Sequence, residues 1–215
     1  MLQNREKLEP SVSDFAAPVT KSFTLYAKWL SENVVKFKDI DSNAWYFDYV
    51  TTIIEKGLMN GVSETEFAPN ANLTRAMFVT VLYRVEGTPA VEGENKFTDV
   101  APDQYYTEAV KWATANGIVT GVKDTEFAPD AAVTREQMAA MLARYVDYKK
   151  LAVAEGEVTY TDDAEISDYA KDAVKVAANL KILIGNTDGT FAPKKNATRA
   201  EVATLFVRLL NVLEK

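Results

Sequence analysis

The sequence predicts an all-α protein built from three copies of one helix–loop–helix unit, on three observations. One stretch is written three times, as Phe67-Ala-Pro-Asn-Ala-Asn-Leu-Thr-Arg-Ala-Met, Phe127-Ala-Pro-Asp-Ala-Ala-Val-Thr-Arg-Glu-Gln and Phe191-Ala-Pro-Lys-Lys-Asn-Ala-Thr-Arg-Ala-Glu, first 60 and then 64 residues apart. Self-similarity at a near-fixed period marks a repeat architecture. Each copy runs into residues with helical apolar spacing, for example Phe78, Val81, Leu82 and Val85 at i, i+3, i+4 and i+7. An earlier helical segment, closed by a turn, precedes each copy. One such unit cannot bury both of its stripes alone, so the copies share a core. The pattern leaves open whether they stack in a line or close around a pseudo-threefold axis.

Composition excludes several chemistries. The chain has 215 residues, 47% hydrophobic, and a net charge of −7, which argues against non-specific nucleic-acid binding. It has no cysteine and no histidine, so thiol nucleophiles, Ser-His-Asp catalysis and Cys- or His-ligated metals are ruled out. No carboxylate pair stands out for glycoside hydrolysis, so no catalytic residue, metal or cofactor is expected. Asn186-Thr-Asp-Gly-Thr carries too few carboxylates for a calcium loop and reads as a turn. No apolar run is long enough to span a membrane. The start, Met1 to Pro10, lacks the apolar centre of a signal peptide, which leaves a cytoplasmic chain, a processed one or a fragment.

In chain order, residues 1–36 stand outside the repeat. Within them Phe23-Thr-Leu-Tyr-Ala-Lys-Trp29 alternates and is rich in β-formers, so it reads as a strand. The first unit, 37–96, opens at Phe37-Lys-Asp-Ile; its first helix is expected from about Ala44 to Lys56, with Tyr49, Val50, Ile53 and Ile54 inward. Gly57-Leu-Met-Asn-Gly61 stops it, since glycine suits the left-handed position past a helix. Pro69 holds the following loop out of a helix, and a second helix runs from Thr74 to Val85. The second unit, 97–159, repeats the plan, with a first helix from Tyr105 to Ala115, the turn Asn116-Gly-Ile-Val-Thr-Gly121 and a second helix carrying Met138, Met141, Leu142 and Tyr145. In the third, 160–215, Tyr169, Ala173, Val174 and Ala177 fall in the first helix, and Val202, Leu205, Phe206 and Leu209 in the second.

Thr74, Thr134 and Thr198 are placed as N-caps. Thr134 with Gln137 and Thr198 with Glu201 have capping-box spacing, which Met77 denies to Thr74. Arg75, Arg135 and Arg199 then stand at the first helical position, where the dipole disfavours a cation. The same broken rule in three copies points to a function. A helix N-terminus plus a guanidinium is an anion receptor in this reading, and Arg135→Ala would then cost little stability. The competing reading folds each arginine back onto an acid or leaves it on the surface.

Phe-x-Asp-Val at the unit start, Asn-Gly-Ile-Val-Thr-Gly, Phe-x-Pro and Thr-Arg-Ala-Glu together resemble the S-layer homology domain, three in tandem, over about Phe37 to Lys215. The resemblance implies a closed spindle with a central helical bundle and three grooves. It implies a non-catalytic, extracellular module that holds surface proteins to secondary cell-wall polysaccharide, through a terminal N-acetylmannosamine bearing a pyruvate ketal. A different class of function is a protein–protein module whose grooves accept acidic groups. The chain is expected to act as a monomer. Residues 13–29 are similar to the last strands of a Listeria–Bacteroides β-grasp repeat, which implies a short β remnant.

Carried over, the resemblance places Arg75, Arg135, Arg199 and the threonines Thr74, Thr134 and Thr198 in the grooves. It adds Asp39, Asp99 and Asp162 as acceptors for sugar hydroxyls, with helix or turn capping as their other reading. Trp45 and Tyr105 would lie against the sugar, with core packing as the plainer alternative. Gly61, Gly121 and Gly185 would let the ligand approach the backbone. Only the third unit keeps the full Thr-Arg-Ala-Glu motif, but Lys181 replaces the glycine found at 57 and 117. Lys181 could add a second cation there, but its bulk weighs more heavily and is expected to obstruct the third groove, so that Arg199 matters less than Arg75 or Arg135.

Overall fold

The computed structural model of the chain describes residues 31–214. Among them are seven α-helices: α1 Glu32–Val35, α2 Phe47–Glu55, α3 Arg75–Val85, α4 Thr107–Ala115, α5 Arg135–Tyr148, α6 Lys171–Asn179 and α7 Arg199–Leu213. Two 3₁₀ turns, Asp163–Glu165 and Asp168–Ala170, precede α6, and the described residues contain isolated β-bridges but no strand. The fold is all-α. The expected strand at 23–29 and the β-grasp remnant lie outside the described residues.

Each repeat contributes a shorter outer helix (α2, α4, α6) and a longer inner one (α3, α5, α7). The outer helices begin two or three residues later than the apolar pattern suggested. Tight turns occupy the entry instead: Asn43 N–H donates to the Asp41 carboxylate, and Phe47 N–H to the Ala44 carbonyl. Such Asx turns compete with the first helical turn. The inner helices start where the threonines predict. All three hydroxyls accept the N–H three residues on, and the boxes Thr134–Gln137 and Thr198–Glu201 are both formed, while Thr74 caps Met77 alone.

The alternative left open by the repeat pattern resolves to closure. Helix α3 packs on α4, α5 on α6, and α7 returns to α2, so each inner helix covers the outer helix of the next repeat. The residues just before the caps meet in a three-way ring: Leu73 N–H donates to Ala197 O (2.9 Å), Val133 N–H to Leu73 O (2.9 Å) and Ala197 N–H to Val133 O (3.0 Å). All three side chains are fully buried there. From this axis the inner helices run through one continuous core, in which Phe78 of α3 lies 5.2 Å from Phe206 of α7, centroid to centroid. Val34 of α1 is buried in the same core.

The inner helix starts are sealed by the next repeat. The first two N–H groups of α3 donate to Ala131 O and Pro129 O, those of α5 to Lys195 O and Pro193 O, and those of α7 to Ala71 O and Pro69 O. With the threonine taking the third, the donors that a helix end usually leaves unpaired are spent inside the protein. The expected anion receptor at these N-termini is therefore not there.

The three glycines have a local cause. A Cβ on Gly61, Gly121 or Gly185 would run into the ring that opens its own repeat, Phe37, Phe97 or Tyr160, and into loop carbonyls. Gly57 and Gly117 sit at φ +70° and +69° with open space around them, and Lys181 holds the same left-handed position at φ +58°. That one repeat tolerates lysine there shows the penalty is small. Gly117→Ala is expected to cost about 1 kcal/mol in urea denaturation, and Gly121→Ala about 2–3 kcal/mol, since strain and overlap add.

Candidate functional site

Each Thr-Arg arginine reaches out of its own repeat. Arg75 Nε donates to Phe127 O at 2.8 Å, Arg135 Nε to Phe191 O at 2.7 Å and Arg199 Nε to Phe67 O at 2.7 Å. The guanidinium carbons stand 4.8, 4.9 and 4.5 Å from the centroids of the same phenylalanine rings, within cation–π range. The three residues are only 4–5% exposed. Burial pulls each guanidinium below its ordinary value, and Asp99, Asp162 and Asp39 of the receiving repeats are among the groups that offset this for Arg75, Arg135 and Arg199. An arginine keeps its charge in such a site.

The aspartates complete the same lock. Asp39 accepts the N–H groups of Phe67 and Ala68 (2.8 and 2.6 Å), Asp99 those of Phe127 and Ala128, and Asp162 those of Phe191 and Ala192. The alanines lie at φ +57°, +57° and +55°, a strained conformation that the bidentate carboxylate holds. Both oxygens are thus engaged by backbone, which is the capping reading rather than sugar-hydroxyl recognition. Asp, Phe-Ala-Pro and Thr-Arg are one device spread over two repeats.

That device corrects the expectation that Arg135 is dispensable for stability. The dipole argument omitted the carbonyls of the next repeat, which the guanidinium satisfies. Arg135→Ala would leave Phe191 O and Ile184 O without their donor. The expected loss is about 2–4 kcal/mol, against about 1 kcal/mol for Thr134→Ala, both read from urea denaturation.

A cleft of about 350 Å³ lies along α5, within the roughly 300–1,000 Å³ usual for ligand sites. It is lined by Arg75 of the first repeat, Val119–Val122, Gln137, Met141 and Arg144 of the second, and Tyr169 of the third. This groove therefore takes one arginine from the preceding repeat, its turn and inner helix from its own, and an aromatic from the following one. Arg199 and Tyr105 stand in the same relation to α3, where Arg199 Nη2 donates to Asn60 O and Arg84 lies near Tyr105. In the α7 groove Arg135 Nη2 donates to Ile184 O, and the charge of Glu201 favours the ionised guanidinium. The third repeat's turn thus shares a groove with Arg135, not with Arg199, and the exposed Lys181 cannot weaken Arg199 in the way the sequence suggested.

Trp45 and Tyr105 are 63% and 61% exposed, so the core-packing alternative fails for both. Tyr169, read from the sequence as part of the first helix, lies before α6, is 55% exposed and is the third member of this set. Sequence reasoning also missed Arg84, Arg144 and Arg208, all half-buried. Each stands nine residues beyond the Thr-Arg arginine of its helix. At about 100° per residue nine positions make two and a half turns, so one inner helix serves the grooves on both of its sides. The identical spacing in three copies was the available signal.

The second repeat departs from the others at Glu136, where Ala76 and Ala200 are the equivalents. Its carboxylate is buried and accepts from Lys194 Nζ (2.7 Å), Ser167 N–H and Oγ (both 3.1 Å) and the Tyr169 hydroxyl (3.0 Å). Burial would raise this carboxyl, but these four donors hold it below its usual value. Burial first, then Glu136, pushes the Tyr169 phenol up to about 12. Its contribution to stability is therefore present below pH 10 and is lost as pH rises through about 12. A carbon-13 tyrosine NMR titration should find Tyr169 still protonated at about pH 11, and Glu136→Ala should bring it back towards the ordinary tyrosine range.

Three repeats closing a ring, with basic and aromatic side chains brought together between them, define a module assembled from tandem domains. Comparison with known proteins agrees. The family model described as "S-layer homology domain" matches residues 36–77, 96–139 and 159–203. An endoglucanase of Bacillus sp. (strain KSM-635) is 38% identical over 180 residues, covering 83% of this chain and 19% of that protein. An amylopullulanase of Thermoanaerobacterium thermosulfurigenes is 34% identical over 81% of this chain and 9% of its own length. The surface-layer 125 kDa protein of Lysinibacillus sphaericus is 30% identical over 84% and 16%. The chain thus spans less than a fifth of the length of these relatives. It belongs to the S-layer homology family, and the matched region is a non-catalytic module that anchors to secondary cell-wall polysaccharide at the bacterial surface. Among the described residues no helix is long and apolar enough to cross a membrane.

Proposed function

We propose that the grooves read an acidic sugar on the wall polymer, of the pyruvylated N-acetylmannosamine type. One observation carries this reading: Arg75 and Arg144, from two helices, line one cleft with an aromatic wall. Among the described residues Arg75 spends only its Nε on protein, which leaves its two terminal amino groups for a ligand. Paired guanidinium donors suit a carboxylate, and Tyr169, Tyr105 and Trp45 offer the apolar face of a sugar a flat partner. In this account the Thr-Arg arginines and the turns ending at Gly61, Gly121 and Gly185 form the groove floors, Arg84, Arg144 and Arg208 the rims, and the threonines and aspartates the frame.

The chain has no catalytic role in this reading. It works as a monomer, because each groove is completed within one polypeptide. Isothermal calorimetry with a pyruvylated disaccharide and with its ketal-free counterpart tests the ligand. Removing the carboxylate should weaken binding by a factor of ten or more, as charge-assisted hydrogen bonds of about 1.5–3 kcal/mol are lost. Equal affinity would contradict the proposal.

A further inference from the structure

The three grooves share one plan, but three differences mark the α5 groove, the first and third against both of the others and the second against the α7 groove alone. The first is in the arginines. Arg135 and Arg199 each commit a terminal nitrogen to a turn carbonyl, Ile184 O at 2.9 Å and Asn60 O at 2.6 Å. Arg75 makes no such bond among the described residues and keeps both terminal nitrogens for a ligand. The second is in the neighbour three residues past each cap. In the α5 groove it is neutral Gln137 and in the α3 groove neutral Met77, whereas in the α7 groove it is Glu201, whose charge favours the ionised Arg135. Lys195 pairs with Glu201 at 2.8 Å and offsets most of that charge, so this difference adds less than the other two.

The third difference is Glu136. It is 5% exposed, and it reaches from the first turn of α5 into the third repeat, where Lys194, Ser167 and Tyr169 all donate to it. Lys194 balances its charge, so the network adds no net negative field to the cleft. Its mechanical effect falls on Tyr169, the aromatic wall of this groove. A ring with two free torsions loses entropy when a ligand stacks on it, and a hydroxyl already tied down has lost much of that freedom beforehand. The alanines at 76 and 200 cannot hold Tyr105 or Trp45 by a carboxylate, and the Tyr105 hydroxyl has the neutral Thr74 side chain in its place.

From these observations we infer that Glu136 is a positioning residue that holds Tyr169 against the α5 groove and makes that groove the tightest of the three for an acidic sugar. The inference rests on the function proposed above and adds which groove dominates and why. It also gives the second repeat's Thr-Arg-Glu-Gln, a departure from the family motif, a purpose.

The test is a double-mutant cycle read by calorimetry with the pyruvylated disaccharide. Glu136→Ala installs the residue that the other two repeats already carry, so the backbone accommodates it, and a thermal melt checks this. It should weaken the tightest binding event about five- to tenfold. Tyr169→Phe, which keeps the ring and removes the hydroxyl, should do the same. The double variant should be no weaker than either single one, because both cut the same bond. Glu136→Gln, which can still accept from the tyrosine, should recover part of the loss. Glu136→Ala with undiminished affinity, or losses that add in the double variant, overturns the assignment while leaving the ligand class intact. A parent protein that does not bind the disaccharide overturns the function proposed above and this inference with it.

Discussion

The structure depends on one hydrogen bond made three times, from a buried arginine Nε to the carbonyl of a phenylalanine in the next repeat. The same phenylalanine gives its N–H to the aspartate that opens its repeat and its ring to the guanidinium. A buried positive charge is costly unless its donors are satisfied and a counter-charge lies near. The Phe–Ala peptide group, with its carbonyl on the arginine and its N–H on the aspartate, lies between the two charges and polarises in both directions. Because the third arginine returns to the first repeat, no unit can keep its arginine satisfied by itself. The ring must close for all three charges to be accommodated.

Closure also explains where the grooves are. Each inner helix carries one arginine that crosses to the following repeat and another, half a turn round, on its own groove. Each outer helix presents an aromatic at its entry to the groove behind it. A groove is therefore a property of three repeats together, and a single unit has neither a finished core nor a finished site. The arginines that lock the fold are the ones whose remaining nitrogens line the cleft, so stability and recognition draw on the same residues. Where a terminal nitrogen is spent on a turn carbonyl, as in Arg135 and Arg199, the fold has taken more of it.

Much of this could be read from the sequence. The inner helices, their threonine caps and the presence or absence of each capping box follow from side chains within four residues of one another. Closure could not be read so directly, because the acceptors are backbone carbonyls 52, 56 and 132 residues away, and every residue type carries a carbonyl. For the same reason the arginines looked misplaced at a positive helix end, when the donors of that end were already engaged by the neighbouring loop. The exposed aromatics shared the spacing of core residues, and only the entry turns set them outward. Glu136 stood in the sequence as a bare departure from a motif, and its meaning needed Tyr169 and Lys194 brought beside it from 33 and 58 residues away. The second row of arginines could have been found, since nine residues separate each pair in all three repeats.

The claim that one cooperative ring underlies both fold and grooves is tested most directly at its axis, by native-state hydrogen exchange of the Leu73, Val133 and Ala197 amides. These three donate only to one another's carbonyls. If the ring opens as a unit, all three exchange by global unfolding, with the same free energy and the same dependence on denaturant. If Ala197, in the repeat that closes the circle, exchanges well before Val133, the third repeat detaches alone and the account is wrong.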